Sequence, residues 1–362
     1  MSVAAIASFV LRRTITLHER MVMSAGLNLS DGGGIVRLTR RVLFGTFIIE
    51  GTGAVLLSCR FVPHYGFPKG ITMGVFHAVS AFCNAGFDLM GTPDDPFQSL
   101  IGWAEDPLVN ITVMALIVLG GLGFFVWSDV WDKHSFCRLR LHTKIVLTAT
   151  AGLLLFGFCW TLLFEWSNPA TLGAFDTPHK LLAAAFESVT LRTAGFNTID
   201  LGALTGPSQA VSCLLMFIGG SPGSTAGGIK TVTAAVLVLT AISAFCGRTT
   251  VSAFGRTIAP RSIMNAVTLL MAGGVLCLVG ACAIAGIEDA PFHQCLFEAV
   301  SAFGTVGVSM GLTPTLSAAS CVILIVMMYM GRVGVLTLGV AVFMRRREPP
   351  RLKYPDADVF IG

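Results

Sequence analysis

Phe297 to Gly311, FEAVSAFGTVGVSMG, begins as a short apolar helix and then breaks. The helix reads from Phe297 to Phe303. Gly304-Thr305-Val306-Gly307-Val308 follows, a run that no helix interior favours because glycine loses most backbone freedom there. Apolar residues lie on both sides, which puts the break at membrane depth. In hydrocarbon an unpaired carbonyl costs several kcal/mol, so non-helical backbone survives there only when it is buried in protein or lines a wet cavity. A bare carbonyl facing such a cavity is a cation ligand, and rings of carbonyls can replace an ion's hydration shell.

The same phrase occurs twice more. Phe76 to Phe87 reads FHAVSAFCNAGF and Phe186 to Phe196 reads FESVTLRTAGF. Ten residues separate Phe76 from Gly86 and Phe297 from Gly307, but nine separate Phe186 from Gly195, so the middle copy has lost one position. The three glycines are spaced 109 and 112 residues apart. An internal repeat of that size outranks local pattern as a sign of architecture.

The chain is 54% hydrophobic and 12% charged, with a mean hydropathy of +0.77. Soluble proteins are about a quarter charged, so the expectation is an all-α integral membrane protein. Spans are expected at Val42–Cys59, Leu108–Trp127, Ile145–Glu165, Ala210–Phe245, Ile263–Ile287 and Ala318–Met344. Each pair brackets one re-entrant loop. Most of the 24 Lys and Arg fall in four segments: Arg12 to Arg41, Lys133 to Lys144, Arg248 to Arg261 and Arg345 to Lys353. Positive loops stay inside, so these are read as cytoplasmic and the loops as opening outward. Asp88, Asp94, Asp95, Glu105, Asp106, Glu165, Asp176, Asp200, Glu288 and Asp289 then form an acidic outer rim that would concentrate cations. The ten cysteines are read as small reduced hydrophobes. No metal-ligand grouping appears among the seven histidines.

These words resemble the Trk/Ktr/HKT superfamily of potassium transporters, most closely the membrane subunit of bacterial Ktr systems. The matching words are SAFCNAGFDLMG (Ser80–Gly91), LRTAGFNTIDL (Leu191–Leu201), FIGGSPGSTAGGIKT (Phe217–Thr231), SAFGTVGVSMGLTP (Ser301–Pro314) and MGRVGVLTL (Met330–Leu338). The resemblance covers essentially the whole chain. It implies four helix–pore loop–helix units in pseudo-fourfold arrangement, of which three are legible here. Residues 1–36 are expected to hold the tail of a first inner helix, Ser2 to Leu11, and a cytoplasmic linker. The second unit is expected at 37–134, the third with its broken inner helix at 135–250, the fourth at 251–347 and a tail at 348–362. The expectation is therefore a sequence truncated at its start, which would not conduct alone.

Glycine tolerates positive φ without a Cβ clash, so Gly86, Gly195 and Gly307 are the expected filter. Asn84, Ala85, Phe87, Thr193, Ala194, Phe196, Thr305, Val306 and Val308 offer backbone beside them. The pore helices would also point their partially negative C-terminal ends at the ion. The second candidate is Gly219 to Lys230. Gly219, Gly220, Gly223, Gly227, Gly228 and Pro222 must break a helix, and a broken helix at mid-membrane marks an ion path. Ile229 between Gly228 and Lys230 spoils a phosphate-loop reading. The resemblance implies an intramembrane loop that obstructs the pore and moves on activation, with Ser221, Ser224 and Thr225 matching it.

Arg332, expected near the centre of its span, is a costly charge that is functional by default. The resemblance implies a basic residue here, near the pore, that tempers ion occupancy or engages the gate; the other reading is a structural ion pair with Glu50. Arg192 is read as beside the filter or anchored to outer acids, Glu187 and Glu298 as holding filter backbone, and His77, His179 and His293 as packing or capping at pore-helix starts. No nucleophile, base and orienter grouping supports an enzyme. The expected function is potassium uptake without a bound cofactor, potassium being the transported ion. Sodium or mixed cation transport, or a non-conducting membrane subunit, stands as the alternative. The resemblance implies a homodimer in the plasma membrane and a cytoplasmic ring of nucleotide-binding regulatory subunits. No nucleic-acid partner is expected.

Overall fold

The computed structural model describes residues 35–93 and 97–334. The expected first-unit tail Ser2–Leu11, the basic residues Arg12, Arg13 and Arg20, the acids Asp94 and Asp95, and everything beyond Gly334 lie outside the described residues.

The chain runs three times through a long apolar helix, a shorter buried helix that stops in a glycine loop, and a second apolar segment. The first pass is α1 (Ile35–Tyr65), α2 (Phe67–Phe82), α3 (Pro107–Leu122) and α4 (Phe124–Lys133). The second is α5 (Leu141–Glu165), α6 (Thr177–Thr190), α7 (Gly206–Phe217) and α8 (Thr231–Phe245). A two-stranded hairpin, β1 (Ser252–Ala253) and β2 (Arg256–Thr257), leads to the third: α9 (Pro260–Ile287), α10 (Phe292–Gly304) and α11 (Ala318–Val333).

Local chemistry explains several boundaries. Helices α3 and α9 start on a proline, whose missing N–H costs nothing in the first turn. The Asp106 carboxylate caps α3 by accepting from Leu108 N at 3.0 Å and Val109 N at 3.2 Å. Three helices are long and apolar enough to cross a membrane: Thr39–Tyr65 within α1, then α5 and α9. Their hydropathies are 1.8, 2.0 and 2.4, yet only 11%, 22% and 28% of those windows are buried inside the protein. Apolar faces left so bare belong against lipid rather than water.

The segments expected from the sequence shift in three ways. Pore helices start well before the phenylalanines that announce them, at Phe67, Thr177 and Phe292. His77 therefore lies mid-helix in α2 rather than at its start. The return span of the first pass is not continuous to Trp127: Gly123, at φ 90°, ends α3 and α4 leaves at 91°. Counting that bent pair as one span raises the spanning helices to four. The broken segment from Ala210 to Phe245 divides as expected, into α7 and α8 on either side of the glycine-rich stretch.

The core sits around the buried helices. Phe61, Phe82, Phe186, Phe196, Phe297 and Phe303 are among the largest fully buried side chains. Glycine lets the inner helices close on the pore-helix ends. A Cβ on Gly120 would stand 1.9 Å from Phe82 O, and one on Gly331 the same distance from Phe303 O. All ten cysteines are free.

Candidate functional site: three glycine loops above a glycine-rich hairpin

Each pore helix ends the same way. Within three residues of its end the chain turns left-handed, at Asn84 with φ 50°, Thr193 with 72° and Thr305 with 53°. Next come Ala85, Ala194 and Val306, whose amides each donate back at 2.9 Å to the carbonyls of Ser80, Thr190 and Ser301. Gly86, Gly195 and Gly307 follow at φ 72°, 92° and 93°, where a side chain would be strained. The hydroxyls of Ser80, Thr190 and Ser301 then donate to the carbonyls of Phe87, Phe196 and Val308 at 2.7, 2.6 and 2.6 Å. These bonds locate the lost residue of the middle copy between Thr190 and Thr193. They also commit the Phe87, Phe196 and Val308 carbonyls to the pore helix, so those three residues support the loops rather than offer free ligands.

What remains free is the run between. The carbonyls of Asn84, Ala85 and Gly86, of Thr193, Ala194 and Gly195, and of Thr305, Val306 and Gly307 accept no hydrogen bond among the described residues. Buried backbone carbonyls are almost always paired; Asn84, Thr193, Ala194, Gly195 and Val306 are buried, Ala85, Gly86 and Thr305 half-buried and Gly307 exposed, so the nine together are a concentration of unspent acceptors. The loops also touch. A Cβ on Gly86 would meet Ala194 O at 2.4 Å and Gly195 Cα at 2.8 Å, and one on Gly195 would meet Val306 O at 2.3 Å. The same position on Gly307 meets no described atom within 4 Å.

Behind the loops, a side chain of the first and of the third pore helix bonds the backbone that leaves the glycine. The Nε2 of buried His77 accepts from Leu89 N at 3.3 Å while its Nδ1 sits 2.7 Å from Met73 O. The Glu298 carboxylate accepts from Met310 N at 3.3 Å, from Thr313 Oγ1 at 2.6 Å and from the Ser309 hydroxyl. His77 and Glu298 thus hold matching positions and do the same work. Glu187 occupies the third matching position, but both its oxygens are buried without a partner among the described residues. The expectation that it holds filter backbone does not hold. His293 is exposed and His179 half-buried at the pore-helix starts.

The glycine-rich stretch forms a closed loop against all three passes. Its neck is tied by Gly219 N to Ile229 O at 2.8 Å, Ile229 N to Phe217 O at 3.2 Å and Thr231 N to Gly220 O at 3.0 Å. Toward the first pass, Ser221 N donates to Gly121 O at 3.0 Å, Thr225 Oγ1 to Phe82 O at 3.2 Å, and Phe124 N to Gly223 O at 3.1 Å. The last bond sits at the bend after Gly123, where a Cβ would meet Pro222 O at 2.8 Å. Against the other passes, a Cβ on Gly219 would lie 3.2 Å from Thr193 Cγ2, one on Gly227 would lie 2.1 Å from Thr305 Oγ1, and one on Gly228 3.3 Å from Gly304 Cα. The loop therefore lies directly beside Thr193 and Thr305, the residues that open two of the glycine loops.

Three cationic side chains spend their hydrogens on this loop. Lys230 Nζ donates to Ala226 O at 2.7 Å, Arg332 Nη1 to Thr225 O, and Arg192 Nη2 to Gly219 O at 2.9 Å. Ser224 Oγ closes the tip on Ser221 O at 2.6 Å. The Glu50–Arg332 pair, one of the two readings of Arg332, does not form. Arg332 lies in the last turn of α11 and is exposed, while Glu50 Oε1 approaches Cys83 Sγ at 4.0 Å. Nor is Arg192 anchored to outer acids, for it points at the loop.

The acidic rim is thinner than composition suggests. Glu165 is fully buried, accepting from Thr205 N, Thr205 Oγ1, Thr171 Oγ1 and Asn168 Nδ2 at 2.7 to 2.9 Å. Asp106 pairs with Arg60 at 2.6 Å. Glu288 accepts from the Ser317 hydroxyl and, at 2.8 Å, from Ser317 N, bonds that hold its carboxyl below the usual carboxylate range.

Long lipid-facing helices, buried half-helices that stop in glycine loops and an intramembrane hairpin define a polytopic membrane protein of the pore-loop transporter class. The chain belongs to the TrkH family of cation transport proteins, whose model matches residues 3–348. It is 38% identical over 98% of its length to the potassium/sodium uptake protein NtpJ of Enterococcus hirae, spanning 78% of that protein. It is 39% identical over its full length to the Ktr system potassium uptake protein B of Bacillus subtilis, spanning 80% of it. The fold is similar to the crystal structure of the potassium transporter TrkH from Vibrio parahaemolyticus, with a TM-score of 0.70 and 16% identity over 90% of this chain and 68% of that one. These relatives are transporters rather than enzymes.

Proposed function

We propose that this chain is the membrane subunit of a potassium uptake system, and that the ion crosses at the three glycine loops. The observation that carries this is the run of nine unbonded carbonyls on loops that touch one another. A potassium ion that sheds its water needs several oxygens held at fixed positions, and backbone carbonyls supply them without a full negative charge that would trap the ion. The cradle of Ser80, Thr190 and Ser301 hydroxyls holds those carbonyls in place. Asn84 to Gly86, Thr193 to Gly195 and Thr305 to Gly307 are the ligands in this reading, and Phe87, Phe196 and Val308 their supports.

The hairpin from Gly219 to Lys230 obstructs the path on the far side of the loops, and its displacement opens it. Arg332 holds it through Thr225 O. The units take a pseudo-fourfold arrangement, with the basic segments in the cytoplasm and the loops opening to the outside of the plasma membrane. The relatives named for the Ktr system support a separate regulatory partner. A nucleotide-binding ring docked on the basic inner face of a homodimer is the form we infer. Potassium-dependent growth of an uptake-deficient strain carrying the full-length gene tests the reading: rescue at low external potassium is expected, and no rescue by a protein that reaches the membrane would overturn it. The name of the Enterococcus hirae relative, a potassium/sodium uptake protein, favours one second reading, mixed cation transport. Equal potassium and sodium fluxes would select it.

A further inference from the structure

Arg192 sits in the second glycine loop, immediately before Thr193, yet its side chain turns away from that loop. The residue is buried, 6% exposed. Its Nη2 donates to Gly219 O and to Thr231 Oγ1, both at 2.9 Å, and Thr231 Oγ1 in turn donates to Gly219 O at 2.9 Å. Gly219 and Thr231 are the two ends of the glycine-rich hairpin, so one nitrogen spans its neck. No carboxylate pairs with Arg192 among the described residues, and its Nε and Nη1 are buried without partners. A buried donor left unpaired is costly. The closed arrangement therefore leaves two of three nitrogens unsatisfied, which brings an alternative arrangement of the neck closer in free energy.

The matching positions in the other loops are Cys83 and Gly304, neither of which can make such a bridge. The cation and the broken helix occur in the same pass. Backbone continuity from Arg192 to Thr193, and the 3.2 Å approach of a Gly219 Cβ to Thr193 Cγ2, connect the neck directly to the free carbonyls.

We propose that Arg192 is the positioning residue that couples the glycine-rich hairpin to the second glycine loop: the neck closes on its guanidinium, and release of the neck is felt at Thr193. This rests on the reading above that the hairpin obstructs the path.

The test is a double-variant comparison of potassium flux and of the potassium-to-sodium flux ratio, with membrane level measured for each protein. Arg192→Gln, a hairpin shortened by Ser224–Ala226, and the two together are compared with the parent. Loss of the charge-assisted bonds at the neck is expected to raise flux about tenfold or more, and the double variant is expected to conduct no faster than the shortened hairpin alone. Arg192→Lys, which keeps a donor, is expected to restore most of the parent behaviour. Thr231→Val removes one leg of the bridge, and carries the test through a smaller rise if Arg192→Gln fails to accumulate. Independent, multiplying effects of the two changes would overturn the coupling while leaving the gate intact. So would a neck substitution without effect beside a shortened hairpin that conducts faster. A shortened hairpin with parental flux would instead remove the gate reading, and the coupling with it.

Discussion

Replacing Gly195 by alanine is the sharpest perturbation of the free-carbonyl cluster. The new Cβ would sit 2.3 Å from Val306 O and 3.1 Å from Gly86 Cα, where ordinary contact begins at 3.4 Å, so the loops must part by about 1 Å. At φ 92° the alanine also leaves the region an L-residue tolerates. Positive φ costs roughly 1–2 kcal/mol and overpacking about 1–3 kcal/mol more. Together these are about 2–5 kcal/mol against the native arrangement, and at about 1.4 kcal/mol per tenfold the selective conformation falls by roughly thirty- to several-thousandfold. The assay is low-potassium growth of an uptake-deficient strain, followed by potassium and sodium flux in vesicles. Gly274→Ala serves as the control, because its Cβ meets nothing within 4 Å and alanine favours a helix. Parental growth and an unchanged flux ratio for a Gly195→Ala protein present at normal level would refute the reasoning.

The remaining predictions concern the supports. Ser301→Ala removes the 2.6 Å bond to Val308 O, a net loss of about 1 kcal/mol. It should lower the potassium-to-sodium ratio about three- to tenfold with little change in protein level, and an unaltered ratio would count against the cradle. Glu298→Gln disturbs three accepted bonds and should destabilise the purified protein by about 1–3 kcal/mol in a thermal unfolding assay. Glu187→Gln relieves a buried carboxylate without partners, so it should be neutral or stabilising; an equal loss in both variants would show that the two positions are not different in kind.

How much of this was legible depends on whether a feature repeats. The glycine at the centre of each phrase and the broken helix around Pro222 follow from sequence, because glycine and proline carry their backbone consequences with them. The hydroxyl cradle was also written there, in the Ser80, Thr190 and Ser301 column. It was missed because a small polar residue in an apolar helix looks like filler until its seventh neighbour, or in the middle copy its sixth, is seen turning back. The bend at Gly123 was hidden for a different reason. Gly120, Gly121 and Gly123 are punctuated only by Leu122, and nothing in that run distinguishes glycines needed for close packing from the one that must adopt positive φ. Side-chain direction is the least legible property: position along the chain puts Glu165 on the outer rim and leaves Arg192 open between the filter and the outer acids, and both turn inward.

The departures from the repeat are as informative as the repeat itself. In the first and third passes an inner-helix glycine, Gly120 or Gly331, packs against the end of its own pore helix at Phe82 or Phe303. In the second pass the inner helix is interrupted by the hairpin, and the pore loop is one residue shorter. Shortening between Thr190 and Thr193 leaves two residues where the other loops have three, and one of the two is the arginine that reaches the hairpin's neck. A structure built only of equal units could present carbonyls but would have no preferred place to close. The deletion, the buried cation and the glycine-rich interruption are concentrated in one pass, which on the proposed gate reading confines the movable part to that pass, while the Ser and Thr hydroxyls keep the same cradle in all three. On the proposed reading, selection among ions and control of their passage then vary separately, one set by what the three loops share and the other by what the middle one does not.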